Sequence, residues 1–155
     1  MSVSRALGLG VISGLRSLSG LAFVSRAASH GHLDLEGTRI AFLGSSRLSK
    51  LLVLMELGEL IGDKLPRAPS RTALPPLLGR AVAGAVVGAA VFVSEDRRAA
   101  TGAAIGSTAA IVAAFAGERL RALAVEKSGF PDLIVALAGD AIVLLVGFTS
   151  LRDLR

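Results

Sequence analysis

The sequence predicts an all-α protein of the polytopic membrane type, a transmembrane bundle of about five helices. Hydrophobic residues make up 52% of the chain and charged residues only 19%. The mean hydropathy is +0.66, and apolar stretches alternate with short polar or proline-containing segments. This composition lies outside the usual range of soluble proteins. At 155 residues the chain is expected to form a single membrane domain, residues 1–155.

Residue usage narrows the class of protein further. The chain has 18 glycines, a frequency typical of helices that pack closely in lipid, although it has no Trp or Tyr to form an aromatic belt. The absence of cysteine excludes disulfides and thiolate metal sites. The net charge of +5 comes from basic residues at the ends of apolar runs. Anionic lipid headgroups are therefore the expected partner, and nucleic acid is not.

The first predicted helix covers about residues 6–24, with Arg16 near its middle. Gly10 and Gly14 have the GxxxG spacing that lets another helix approach closely. The N-terminus is similar to the start of a signal peptide, but its apolar run continues past Arg16 without a small-residue cleavage site. We therefore interpret it as a helix of the mature protein.

A polar connection at about residues 25–46 contains the sequence HGHLDLE, with His30, His32, Asp34 and Glu36. These residue types can bind metals, but one flexible loop rarely forms a closed site without further ligands. We interpret the segment as a solvated loop.

The second predicted helix, at about residues 47–65, includes the start of the sequence MELGELIGDKLPRAPSRT. Glu56, Glu59 and Asp63 occur at i, i+3 and i+7 and therefore share one helix face. Pro66 prevents a smooth continuation of the helix. Acids on so apolar a helix indicate a functional face inside the membrane.

Basic residues follow these acids at the helix exit. Lys64, Arg67 and Arg71 form a charged rim with Asp63, and Arg80 could fold back toward it. Ordinary placement of basic residues at a membrane interface explains this rim, and binding of lipid phosphate is the alternative.

Three more helices are predicted, at about residues 76–93, 99–123 and 132–149. The first of them contains Gly84 and Gly88, the second has Gly102 and Gly106, and the third is apolar except for Asp140. The predicted helices are near the roughly 20 residues that a bilayer core requires. Five spans is the leading count, with four as the alternative if the second helix does not cross.

Orientation and symmetry stay open at this stage. Five spans divide the 17 basic residues evenly between the two sides, with Arg16 inside, so the positive-inside rule gives no orientation. Misplaced boundaries are the simpler explanation, and dual topology is the alternative. An inverted repeat of the first two and last two helices is suggested by the GxxxG pairs and by single acids at Glu59 and Asp140. Such spacing also arises easily in a chain rich in Ala and Gly.

Arg16 is the strongest anomaly, because a guanidinium near the bilayer centre costs at least about 2.5 kcal/mol. We predict that it faces the bundle interior and pairs with at least one of Glu56, Glu59 and Asp140. The pair could be purely structural and fix helix register, or it could line a path for an ion, a proton or a headgroup. No histidine lies on a predicted helix to activate a hydroxyl group, so a Ser-His mechanism has little support.

Three segments together resemble a known family. They are GLRS at residues 14–17, ELIGDKLPRAPSRT at residues 59–72 and GRAVAGAVVGA at residues 79–89. They resemble the bacterial membrane proteins grouped as domain of unknown function 4126, over most of the chain. The resemblance implies that the following residues occupy the family's signature positions: Arg16, Glu59, Asp63, Lys64, Pro66 and Arg80. It also implies several transmembrane helices around a shared polar centre. The family often has an acidic pair where this chain has Gly139 and Asp140, and it supplies no biochemical role.

The predicted function is binding or passage of a small solute or ion at an intramembrane polar centre. That centre comprises Arg16, Glu56, Glu59, Asp63, Lys64 and Asp140. The alternative is a non-transporting assembly or lipid-organising protein. An enzyme acting on lipid phosphate through Arg67, Arg71 and Arg80 is the third interpretation, with no nucleophile or metal set to accompany it. We predict no enzyme activity and no cofactor, a multi-pass location in a bacterial inner membrane, and membrane lipids and a homodimer through Gly-rich helix faces as partners.

Overall fold

The fold is all-helical in the residues that the computed structural model describes, which are 2–62, 72–131, 134–141, 143 and 145. This confirms the predicted all-α class. The helices are α1 (Ser2–Leu15), α2 (Ser17–Ser29), a 3-10 helix (Ala41–Gly44), α3 (Ser46–Gly62), α4 (Leu74–Val93) and α5 (Ala99–Ser128). Residues 134–141 are helical as well, and we call them the C-terminal helical segment.

The first predicted helix is interrupted at Arg16, so the prediction of one continuous helix over residues 6–24 is wrong. The Arg16 N–H still donates to the Ile12 carbonyl at 2.8 Å, as in a continuing helix. The Arg16 backbone then becomes extended, with φ −147° and ψ 115°, and α2 begins at the next residue. The sequence contains no proline here that would have indicated the break.

Helices α1, α4 and α5 pack together through glycine. A Cβ atom built on Gly106 of α5 would overlap the carbonyl group of Gly84, and one built on Gly88 of α4 would overlap that of Gly102. From α1, a Cβ on Gly14 would overlap the Ala110 backbone. Backbones therefore approach one another to a distance that a larger side chain would prevent.

The second half of the interrupted helix packs in a different direction. Helix α2 contacts α3, α4 and the 3-10 helix. The Ser25 hydroxyl donates to the Leu43 carbonyl at 2.6 Å, which ties the 3-10 helix to α2. Val24, Ala27 and Leu43 are buried in the same apolar cluster. The break at Arg16 therefore joins one glycine-packed group, α1–α4–α5, to a second group formed by α2 and α3.

The short connection between α4 and α5 holds the N-terminus of α1. Arg97 donates to the Ser2 hydroxyl and lies 4.9 Å from the centre of the Phe92 ring. Arg5 pairs with Glu95 at 3.1 Å. These contacts fix one end of the α1–α4–α5 group.

Two helices, α4 and α5, are long and apolar enough to cross a membrane, as judged by length and composition. In their most apolar windows only 44% and 33% of residues are buried. The interruption divides the first predicted span into helices of 14 and 13 residues, and α3 has 17 described residues. The described residues therefore contain two helices of clear membrane length, and the predicted count of about five spans is not confirmed.

Candidate functional site at an interrupted helix

Arg16 lies in the interior at the interruption, with 2% of its surface exposed. Its Nε and Nη2 atoms lie 2.9 Å and 2.5 Å from Oδ1 of Asp140 in the C-terminal helical segment. Its Nη1 atom lies 3.5 Å from Oε1 of Glu56 on α3. The predicted ion pairing of Arg16 is present, with Asp140 as the close partner and Glu56 as the more distant one.

Glu59 accepts hydrogen bonds at the first turn of α2. One of its oxygens accepts from the Ser17 N–H at 3.3 Å and from the Ser17 hydroxyl at 2.9 Å. The other accepts from the Leu18 N–H at 3.1 Å. The first N–H groups of a helix have no partner within it, and the residue before α2 is Arg16, whose side chain has no acceptor. The carboxylate therefore comes from α3 instead of from the usual N-cap residue.

Arg80 donates hydrogen bonds on the other side of the interruption, at the C-terminal end of α1. Its Nη1 atom donates to the Gly14 carbonyl at 2.6 Å and to the Leu15 carbonyl at 2.8 Å, at the last turn of α1. Arg80 is 3% exposed. The carbonyl groups left at the end of α1 need a donor in the interior, and Arg80 supplies it. The rim toward which Arg80 was predicted to fold back lies outside the described residues.

The charges match the helix ends that they meet. Helix C-termini carry partial negative charge, and Arg80 lies at that of α1; N-termini carry partial positive charge, and Glu59 lies at that of α2. Arg16 lies between the two ends and is compensated by Asp140. The interruption is therefore stabilised by side chains from α3, from α4 and from the C-terminal helical segment.

Glu56 is bound less completely than Glu59. Its Oε1 atom accepts from the Ser19 hydroxyl and faces Arg16. Its Oε2 atom is buried, and no residue that the structure describes donates a hydrogen bond to it. A buried carboxylate oxygen without a donor is unfavourable, so this atom is a chemically distinctive point of the polar centre.

A cavity of about 360 Å³ adjoins the Arg16–Asp140 pair. It lies between the C-terminal part of α5 and the C-terminal helical segment, and its volume falls in the range of small-molecule sites. Its lining is mainly apolar, with charged groups at Arg16, Arg121 and Asp140. An apolar space with a few charged groups suits a small solute better than an extended polymer.

Other predicted site residues are not part of this geometry. Asp63, Lys64, Arg67 and Arg71 lie outside the described residues. In the loop after α2, the His30 ring nitrogen Nδ1 lies 2.8 Å from the Arg26 carbonyl. Within the described part of the chain, no three His, Asp or Glu side chains are grouped to hold a metal ion.

Sequence reasoning missed the roles of Ser17, Ser19 and Arg80 as contacts that hold the interruption. The signal available was the group of three polar residues, Arg16, Ser17 and Ser19, at the middle of an apolar stretch. Such a group fits a continuous helix with one polar face as well as it fits an interrupted helix. The positions of α3 and α4 distinguish these two possibilities.

Comparisons with known proteins give the family and nothing more specific. No curated protein and no solved structure matches the chain. The family model described as a domain of unknown function (DUF4126) matches residues 3–152, nearly the whole chain. The segments that carried the resemblance lie inside this match, and Arg16, Glu59 and Arg80 of those segments meet at the interruption. The chain therefore belongs to the DUF4126 family.

Proposed function

We propose that the protein is a multi-pass membrane protein, bacterial inner-membrane in type, that binds or passes a small solute or ion at the interrupted helix. The outer surface supports the membrane location. Large apolar side chains are exposed along several helices, including Leu54 of α3 at 66%, Leu78 of α4 and Val112 of α5 at 61%. Exposed large apolar side chains on three helices suit contact with lipid.

The observation that carries the functional proposal is the interruption itself. In membranes, non-helical backbone is tolerated only where it is buried in protein or lines a cavity. Interrupted helices form substrate and ion sites in many transporters, because their ends present unused backbone groups and partial charges. Here the interruption lies beside a cavity to which Arg16 and Asp140 contribute.

A second function is favoured by a specific observation. Arg16 is almost fully buried and closely paired with Asp140, as expected of an ion pair that only fixes helix positions. In that case the protein would organise lipids or assemble with partners without transporting anything. Access of water to the cavity distinguishes the two functions.

Substituted-cysteine labelling tests both parts of the proposal, since the natural chain has no cysteine. Gly139→Cys places a thiol in the cavity lining, where a Cβ meets nothing within 4 Å. Val112→Cys places one on the apolar surface, and Glu36→Cys places one in the exposed loop. Opened membrane fragments are treated with a charged thiol reagent, which needs an ionised, hydrated thiol.

We expect Gly139→Cys and Glu36→Cys to react and Val112→Cys to remain at least about tenfold slower, because lipid disfavours the thiolate. Reaction of Val112→Cys at the rate of Glu36→Cys would contradict the membrane location. If Val112→Cys and Gly139→Cys are both unreactive while Glu36→Cys reacts, the cavity is closed to water and the non-transporting function is favoured.

A further inference from the structure

Among the described acids of the polar centre, Glu56 is compensated less completely than Glu59 and Asp140. Glu56 and Glu59 lie one turn apart on α3, so two carboxylates face the same region. Glu59 is compensated by the first turn of α2, to which both of its oxygens are bound. Among the described residues, Arg16 is the cation paired with Glu56, but its closer partner is Asp140, at 2.5 Å against 3.5 Å for Glu56.

The groups that face Glu56 can be named from each packed element. From the interruption and α2 they are Arg16 and the Ser19 hydroxyl, and on its own helix the group is Glu59. Asp140 binds the same Arg16 guanidinium, and Arg80 is bound to the carbonyl groups of α1. From the described residues, Glu56 therefore meets one guanidinium that it shares with Asp140 and one neutral hydroxyl.

The side chain of Glu56 is 15% exposed, and its Oε2 atom is buried. A carboxylate in such a position becomes neutral by taking up a proton unless a cation or additional donors compensate it. The available atom is Oε2, because Oε1 already accepts from Ser19 and faces Arg16. Protonation adds one hydrogen to Oε2 and removes one negative charge, with no other bond changed.

We propose that Glu56 is an exchangeable proton-binding site, so that the ion handled at the interrupted helix is a proton. This inference rests on the proposed function and names its ligand. A proton needs a single oxygen, whereas a metal cation needs a set of oxygen ligands. The oxygens of Glu59 are bound by α2, and the described residues offer no group of acids arranged around a metal ion.

Infrared difference spectroscopy of the protein in lipid nanodiscs tests the proposal directly. The carbonyl stretch of a protonated carboxylic acid is separate from the bands of a carboxylate. We expect the natural protein to have such a band, to lose it as the pH is raised, and to shift it in heavy water because the proton exchanges. Glu56→Gln should lack the band, and the isosteric control Glu36→Gln, in the exposed loop, should retain it.

Ser19→Ala keeps the test valid if Glu56→Gln fails to fold. This variant removes the hydrogen bond to Oε1, so the band should persist and move to higher frequency. A band that is unchanged in Ser19→Ala, retained by a folded Glu56→Gln, or absent from the natural protein at every pH would overturn the proposal. Loss of the band on adding sodium chloride, but not choline chloride, would also overturn it and assign the site to an alkali ion.

The two proposals can fail separately. If Gly139→Cys reacts but the infrared band of a protonated acid is absent, the proton site is refuted and the proposal of solute binding stands. If the acid band is present but does not shift in heavy water, and Gly139→Cys is unreactive, Glu56 is a buried structural acid that does not exchange its proton.

Discussion

Arg16, Glu59 and Arg80 each meet one electrostatic requirement of the same chain interruption. Glu59 accepts from the free N–H groups of α2, Arg80 donates to the free carbonyl groups of α1, and Arg16 is paired with Asp140. Buried polar groups left without partners typically cost 1–3 kcal/mol each, so these contacts are needed for the interruption to persist in an apolar interior. The charged residues that looked anomalous in the sequence are therefore required by backbone geometry.

Replacing Glu59 with alanine should lower the free energy of unfolding by roughly 2–4 kcal/mol, because two backbone N–H groups lose their acceptor. Glu59→Gln should cost less, since one acceptor oxygen remains. Unfolding in detergent by chemical denaturant, followed by circular dichroism, measures both. Glu36→Ala, in the exposed loop, is the control and should change stability by less than about 0.5 kcal/mol. Equal effects of Glu59→Ala and Glu36→Ala would contradict a capping role.

The pairing of individual charged residues was also the feature most readily predicted from the sequence. A guanidinium in an apolar stretch is costly enough that a partner could be expected, and Asp140 and Glu56 were among the three candidates. The role of Arg80 at the end of α1 could not be predicted from the sequence. Arg80 follows closely on the basic residues that precede α4 and looks like one more member of that group. Its true partners, the carbonyl groups of Gly14 and Leu15, become visible only once the first helix is known to break.

At the scale of elements, apolar runs predicted where helices occur but not where one of them divides. The helices at 74–93 and 99–128 correspond to predicted helices, with ends shifted by a few residues. The break between α1 and α2 depends on acceptors and donors that α3 and α4 bring from elsewhere in the chain. Such tertiary capping leaves no local signal that distinguishes a break at residues 15–17 from a continuous helix with a polar face. The suggested inverted repeat is also weakened, because α5 continues without interruption where its predicted counterpart breaks.

Glycine packing leads to a prediction for the α4–α5 interface. Gly106→Ala should destabilise the protein by roughly 1–3 kcal/mol, because its Cβ would overlap the Gly84 carbonyl and the backbones would have to separate. Gly58→Ala is the matched control: it is also a helical glycine, but a Cβ there meets nothing within 4 Å. That change should be neutral or stabilising by up to about 1 kcal/mol.

Thermal unfolding of both glycine variants in the same detergent gives the comparison. A Gly106→Ala protein that is as stable as the natural chain would mean that the α4–α5 approach is looser than the structure has it. Because Gly10, Gly84 and Gly106 are used within the chain, the homodimer, which stays a prediction, would have to form through a different surface.

At the scale of the whole molecule, three charged side chains lie in the interior while large apolar side chains lie on the surface of the described residues. Arg16, Arg80 and Asp140 are buried, whereas Leu54 and Val112 are mostly exposed. A protein surrounded by water normally has the reverse arrangement for charged groups. Whether water or lipid surrounds the exposed apolar side chains is therefore the property to measure.

Fluorescence quenching can identify that environment, because the natural chain contains no Trp. Val112→Trp places a single fluorophore on the exposed face of α5, and Phe42→Trp places one on the exposed 3-10 helix between α2 and α3. In vesicles made with lipids brominated deep in their acyl chains, we expect Val112→Trp to be quenched several-fold more than Phe42→Trp. Quenching by brominated tails requires close contact with the hydrocarbon region. A water-soluble quencher should give the opposite order. If that quencher reached Val112→Trp as readily as Phe42→Trp, the face of α5 would be in water, and the buried charges would then need an explanation in which lipid plays no part.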